Sequence, residues 1–136
     1  MNILFQEKEN KVELRFDFET EDVPSKNDAH VRIVIHSNGF GAHNDCWVQA
    51  DVIQRFFEGL LFLEKNRLGE AMLTSISPGE LELKIYSINH RGHIAIYGKT
   101  SRQVYDAGGQ FHHSITFGFS IEPRHLEEIV ASLGLI

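Results

Sequence analysis

The chain has 136 residues, of which 42% are hydrophobic and 24% are charged, and its formal net charge is −6. This composition is typical of a soluble folded protein, and the length is too short for two full-sized domains, so we expect residues 1–136 to form a single domain. The acidic balance argues against nucleic acid as a partner, and the lone cysteine excludes an internal disulfide or a cysteine-rich zinc site.

The first third of the chain has the alternating pattern of β-strands. Apolar and polar residues alternate over 12–18 and again over 31–36, which predicts strands with one face in a core and one in water. A partner strand precedes the first of these, and a short strand is expected near 46–49. The polar stretch 20–28 predicts a loop, and we expect the Gly-rich stretch 38–44 to be irregular.

An amphipathic helix over 51–66 is the best-marked element. Its apolar residues recur at helical spacing and form a wide stripe. Asp51 stands at its start with Gln54 three residues later, which predicts an N-cap and a capping box. Gly59 lies inside the apolar stripe, where we expect it to permit close packing against a strand.

The second half repeats this order, with four strands followed by a helix. The segment 77–80 has Pro and Gly where a type II turn requires them, and 106–109 predicts another turn. A long strand over 111–121 precedes a C-terminal helix, which Pro123 opens. Short hairpin connections imply antiparallel pairing. We therefore predict an α+β fold: a curved antiparallel sheet of about eight strands, one central amphipathic helix packed on it, and a C-terminal helix.

No group of residues has a spacing typical of catalysis, so we expect a protein that is not an enzyme and has no cofactor. Cys46 lies next to Asp45, whose charge would raise the pKa of a thiol. A buried small apolar residue beside Trp47 is therefore a better interpretation of Cys46 than a nucleophile. The segment 39–41 is too short for a phosphate-binding loop.

The eight histidines leave metal binding open as an alternative. None of them has the i, i+4 helix spacing or the i, i+2 strand spacing that zinc ligands favour. His90 and His93 flank a predicted hairpin turn, where they would converge with Asp45 or Asp106 as a distant third ligand. These four residues define the alternative hypothesis of a small metal-dependent enzyme or metal-binding protein.

Charged and aromatic residues indicate a surface for a protein partner. Residues 7–28 hold eight acidic and four basic side chains. A negative patch would attract a basic partner and speed its approach. Tyrosines on polar strand faces are typical interface anchors, and Phe40 and Trp47, which flank the Gly-rich stretch, are further aromatic candidates. We predict partner contacts at Glu13, Asp17, Glu19, Tyr86 and Tyr97.

A series of core and turn residues follows the order of a known family. They are Phe40-Gly41-Ala42, then Phe56, Leu60 and Leu63, Gly69-Glu70-Ala71 with Leu73, Leu81 and Leu83, Gly92-His93-Ile94, Gly98, Phe117 and Phe119, and finally Leu126 and Leu133. With them, the stretch from Ala29 to Ile136 resembles the WapI-type family of small bacterial immunity proteins, which neutralise secreted or contact-delivered toxins. The last helix of that family opens with an Asp-Gln pair, where this chain has Glu122-Pro123.

The resemblance implies a non-enzymatic protein that neutralises a cognate toxin by occluding it. Nuclease toxins carry basic substrate grooves, so a basic nuclease is the expected partner of an acidic inhibitor. No apolar run approaches the roughly 18 residues that would span a bilayer, and no secretory signal is visible, so we expect a cytoplasmic protein with no membrane partner. A structural subunit that assembles through an exposed sheet edge is a further hypothesis.

Overall fold

The computed structural model describes residues 1–18, 28–89 and 91–134. Within these ranges, four strands, a helix, four strands and a second helix follow in the predicted order, which confirms the α+β class. The strands are β1 (Asn2–Glu7), β2 (Asn10–Phe18), β3 (Ala29–Ser37), β4 (Phe40–Val48), β5 (Glu70–Thr74), β6 (Leu81–Ser87), β7 (Ile94–Asp106) and β8 (Gly109–Ile121). The helices are α1 (Ala50–Asn66) and α2 (Pro123–Ser132).

The eight strands divide into two antiparallel sheets of four, where the sequence pattern predicts a curved antiparallel sheet of about eight strands. Each sheet is a meander, in the orders β1-β2-β3-β4 and β5-β6-β7-β8. Because α1 stands between β4 and β5 in the chain, each of these strands becomes the edge of its own sheet. The backbone N–H of Ile76 donates to the carbonyl of Trp47 (2.8 Å). This bond links the end of β4 to the connection between β5 and β6 in the second sheet.

The inward faces of both sheets contribute to one hydrophobic core. Buried residues recur at every second strand position, as with Val31 and Ile33 in β3 and Leu81 and Leu83 in β6. The apolar stripe of α1 packs into the same core, where Phe56 is fully buried. The apolar side chains that recur at every second strand position therefore pack against the apolar stripe of α1, as the sequence predicts.

Gly59 permits the close approach that the sequence predicted. A Cβ atom at this position would lie 2.9 Å from both the Cα and the Cβ of Ala71 in β5, closer than real Cβ contacts allow. The helix α1 therefore meets β5 almost backbone to backbone. A larger residue at Gly59 would push the helix away from the second sheet.

The predicted capping box at the start of α1 is wrong. The N-cap residue is Gln49, two positions before Asp51, and its side chain makes no capping hydrogen bond. The carboxylate of Asp28 instead accepts a hydrogen bond from the backbone N–H of Ala50 (2.7 Å). The cap therefore comes from a residue distant in sequence. In the described part of the chain, neither helix is long and apolar enough to cross a membrane.

The β7–β8 hairpin extends beyond the core. The two strands pair along their whole length, but β6 pairs with β7 only as far as Thr100. Residues 102–114 are exposed on both faces of the hairpin. We call residues 102–113 the hairpin arm. Near its base lies the stretch 38–44, which we expected to be irregular and which is a turn followed by the first half of β4.

Candidate functional site

The predicted partner-binding residues lie on two different sheets. Glu13 and Asp17 project from the outward face of β2, whereas Tyr86 and Tyr97 lie on the outward faces of β6 and β7. Glu19 lies outside the described residues. The structure places each pair on one face, but it does not join the two pairs, because the shared core separates the outward faces of the sheets.

Acidic and basic side chains alternate on the outward face of the first sheet. Asp17 pairs with Arg15 on its own strand (Oδ1 to Nε, 3.5 Å). His30 Nε2 lies 2.9 Å from Asp45 Oδ2, and the His30 ring packs edge-on against Trp47, with 5.3 Å between ring centroids. Among the described residues of this face, the charges balance, with Lys11, Arg15 and Arg32 against Glu13, Asp17 and Asp45.

The two tyrosines lie beside a lysine on the second sheet. Lys84 Nζ is 4.9 Å from the centroid of the Tyr86 ring and 3.1 Å from the Glu70 carboxylate. Tyr97 is the cross-strand neighbour of Lys84 and is 46% exposed. This ladder stabilises the sheet by cation–π and ionic contacts, and it leaves the Tyr97 ring accessible.

The structure does not bring the alternative metal ligands together. His93 immediately precedes β7 and Asp106 ends it, so roughly 40 Å of extended strand separates them. Asp106 Oδ1 accepts a hydrogen bond from the backbone N–H of Gly108 (2.7 Å) in the turn of the hairpin arm. Asp45 belongs to the other sheet, and His90 lies outside the described residues. The residues that the structure describes contain no group of three or more potential metal ligands.

Cys46 is a buried thiol on the inward face of β4, 5% exposed. Burial, with smaller contributions from the charges of Glu80 and Asp45, raises its pKa to about 12. The thiol is therefore protonated at neutral pH, and its interpretation as a small apolar core residue is confirmed.

The structure contains an open groove that the sequence pattern does not predict. It lies between the first half of β4 and the base of the hairpin arm, and its volume is about 410 Å³. Phe40 and Ala42 line one wall, while Arg102, Val104 and Ile115 line the other. All five occupy inward-facing positions of their strands, beyond the point where the two sheets cover each other. We call this space the end groove.

A buried polar side chain joins the two walls of the end groove. Asn44, 6% exposed, donates from Nδ2 to the hydroxyl of Thr100 (2.9 Å) and to the carbonyl of Ser101 (2.8 Å). Its Oδ1 accepts from Nε (3.1 Å) and Nη2 (3.0 Å) of Arg102. One side chain of the first sheet thus links it to the second sheet and orients the Arg102 guanidinium beside the groove.

The sequence indicates one wall of this groove, through Phe40 as an aromatic residue beside a Gly-rich stretch. The opposite wall comes from residues about 60 positions later in the chain, and a strand pattern does not show which strands face each other.

Comparison with known proteins adds one finding. The family model described as the WapI-like family of immunity proteins matches residues 3–136. The match includes β1 and β2, whereas the resemblance drawn from the residues began at Ala29. No curated protein and no solved structure matches the chain.

Proposed function

The chain belongs to the WapI-like immunity protein family, and on this premise we propose that it neutralises one cognate bacterial toxin by binding and occluding it. The match over nearly the whole chain carries this proposal. Occlusion needs a stable scaffold with an exposed complementary surface, and it needs no chemical step. We therefore propose a binding protein that is not an enzyme.

A basic nuclease is the toxin class that we propose. The net charge of −6 favours a positively charged partner, and a nuclease must line its substrate groove with Lys and Arg to hold phosphates. An acidic inhibitor would compete with nucleic acid for such a groove. We propose the bacterial cytoplasm as the place of action, since an immunity protein must meet its toxin inside the cell that it protects.

The charged and aromatic residues of the sequence prediction are part of this proposal. Glu13, Asp17 and Glu19 would attract the toxin, and Tyr86 and Tyr97 would contact it. Because Glu13 and Asp17 lie on a different sheet from Tyr86 and Tyr97, each of these two pairs needs its own test. Double variants of each pair, measured separately, show which sheet faces the toxin.

Coexpression with a toxin tests the function directly. The probe is the C-terminal effector domain of a toxin gene to be sought beside this gene, with a catalytically inactive effector as the control for toxicity. We expect survival of the host, a stable complex on gel filtration, and an association rate that falls as salt concentration rises. Neither rescue of growth nor a complex would contradict the proposed function.

A further inference from the structure

The end groove exposes apolar side chains at positions that continue the pattern of the core. Phe40 is 71% exposed and Val104 is 41% exposed, although both occupy inward-facing positions of their strands. Phe111, the cross-strand partner of Val104, is exposed on the same face of the hairpin arm. Large apolar side chains that face each other across open space are typical of an interaction site.

The backbone beside the end groove is also available for pairing. In the described part of the chain, β4 pairs only with β3, so its other edge has no neighbouring strand. Beyond Ser101, β8 is the only described strand that pairs with β7. Unpaired edges of this kind accept an extended segment of another chain by strand addition, in which backbone hydrogen bonds give affinity and side-chain pockets give specificity.

Arg102 determines the chemistry of the occupant. Two of the five N–H groups of its guanidinium point at Asn44 Oδ1, which fixes its orientation and leaves donors for another acceptor. Among the residues that the structure describes, no carboxylate lines the end groove or forms an ion pair with Arg102. The other titratable lining residues are His43 and His113, which can only add positive charge.

The described lining of this groove holds no acidic residue, although the chain has a net charge of −6. A carboxylate is the group that best complements an oriented guanidinium, because two parallel N–H···O bonds can form. The apolar walls on either side would exclude water from this contact and strengthen it.

We propose that the end groove binds an extended segment of the toxin that places a carboxylate against Arg102 and an apolar side chain between Phe40 and Val104. This inference rests on the proposed function, since the toxin supplies the segment. The volume of about 410 Å³ accommodates a few side chains of such a segment. The hairpin arm supplies the open backbone edge along which the segment lies.

Paired substitutions on the two faces of the hairpin arm test this proposal. Val104→Asp places a charge in the end groove, whereas Tyr105→Asp places the same charge on the opposite face of the arm. Arg102→Gln removes the anchoring charge, and Gln103→Glu, which changes the net charge by the same amount, is its control on the opposite face. Phe40→Asp tests the other wall at a side chain that is 71% exposed, so folding does not depend on it.

Affinity for the neighbouring effector domain, measured by calorimetry, is the readout, with thermal unfolding as the check on folding. We expect each groove variant to weaken binding at least about tenfold and each control to change it less than about twofold. The groove proposal would be overturned if wild type binds the effector and the Phe40→Asp and Val104→Asp variants bind it as tightly as Tyr105→Asp does. The proposed function would remain intact.

Two other results would overturn the proposal in different ways. Wild-type protein that neither binds nor protects contradicts the proposed function, and the groove proposal with it. Self-association in sedimentation that Phe40→Asp abolishes, with the affinity for the effector unchanged, would identify a second copy of this chain as the occupant.

Discussion

The outward face of the first sheet and the end groove present their exposed groups in opposite ways. On the sheet face, acidic residues have basic neighbours, as Asp17 has in Arg15. In the end groove, Arg102 has no carboxylate partner within the described ranges, and Phe40 lies exposed on the opposite wall. A surface whose charges compensate each other is stable in water by itself. A partner of the groove, by contrast, would supply a carboxylate to Arg102 and cover the exposed ring of Phe40, so binding there is more favourable.

The strand β4 connects these two environments and shows what makes the difference. Along its inward face, exposure falls from 71% at Phe40 to 6% at Asn44 and 0% at Val48. The side chains alternate in the same way along the whole strand. Burial of an inward-facing residue therefore depends on whether the second sheet covers that part of β4. Covered apolar residues serve folding and can be separated from uncovered ones, which serve binding.

Truncation of one phenylalanine in the core and of one in the end groove tests this separation most strongly. Phe56→Ala should lower the free energy of unfolding by about 3–5 kcal/mol, because it leaves a cavity in the core. Phe40→Ala should change it by less than about 0.5 kcal/mol, since the side chain is 71% exposed. Urea unfolding at equilibrium measures both. A large loss of stability in Phe40→Ala would mean that Phe40 serves the fold and that the comparison is wrong.

Removal of the Asn44 side chain should affect both folding and binding. Asn44→Ala leaves the Ser101 carbonyl and the Thr100 hydroxyl without this partner, so we expect a loss of about 1–3 kcal/mol in the free energy of unfolding. It also releases the guanidinium of Arg102, so affinity for the effector should fall. Asn2→Ala, at an exposed position of β1, is the control for both measurements. Equal stability of the two variants would contradict a structural role for Asn44.

The strands, α1 and the contact at Gly59 could be predicted because each leaves a local pattern. Alternation marks a strand, helical spacing marks α1, and a glycine inside an apolar stripe marks a close approach. The α+β class and the order of elements follow from these patterns. The start of α1 at Ala50 lies one residue before the predicted start, but its capping group could not be found in this way, because the cap is Asp28, which lies 22 residues before Ala50.

The division into two sheets and the end groove depend on contacts between distant residues. Asn44 and Arg102 are 58 positions apart, and neither the hydrogen bonds between them nor the facing walls leave a trace in local sequence. Composition made Glu13 and Tyr97 visible as charged and aromatic candidates. The sequence also made Phe40 visible, but the residues that it faces become apparent only when both sheets are in place.

Alkaline unfolding tests whether the covered end of β4 is closed to water. The pKa of Cys46 is raised from 9.0 to about 12 in the folded protein. The unfolded chain therefore loses this proton first, so the contribution of Cys46 to stability is complete below pH 9.0 and is lost as the pH rises toward about 12. We expect wild type to lose up to about 1 kcal/mol per pH unit more than Cys46→Ala above pH 9.0.

Urea unfolding from about pH 8 to about pH 10.5 measures this difference. Tyrosines and lysines titrate in both proteins, so the subtraction isolates the thiol. Identical pH dependence in wild type and Cys46→Ala would mean that solvent reaches this part of β4 and that the covered region is shorter than the structure indicates.

Neutralisation of the acids on the first sheet should have the smallest effect. The double variant Glu13→Gln and Asp17→Asn should change the free energy of unfolding by less than about 0.5 kcal/mol, because exposed pairs contribute little. Its association rate with the effector should fall about two- to threefold at low salt and match wild type at high salt, with an unchanged dissociation rate. Stopped-flow mixing at several salt concentrations measures the association rates.

A second pair of acids makes this last measurement decisive. Glu58→Gln with Glu128→Gln removes the same formal charge from exposed positions on α1 and α2. If the control pair slows association equally, then the overall charge of the chain attracts the toxin, and the position of Glu13 and Asp17 is immaterial. The comparison would be reversed if the Glu13→Gln and Asp17→Asn variant alone dissociated about tenfold faster. Because dissociation responds to direct contacts, this result would place the toxin on the outward face of the first sheet.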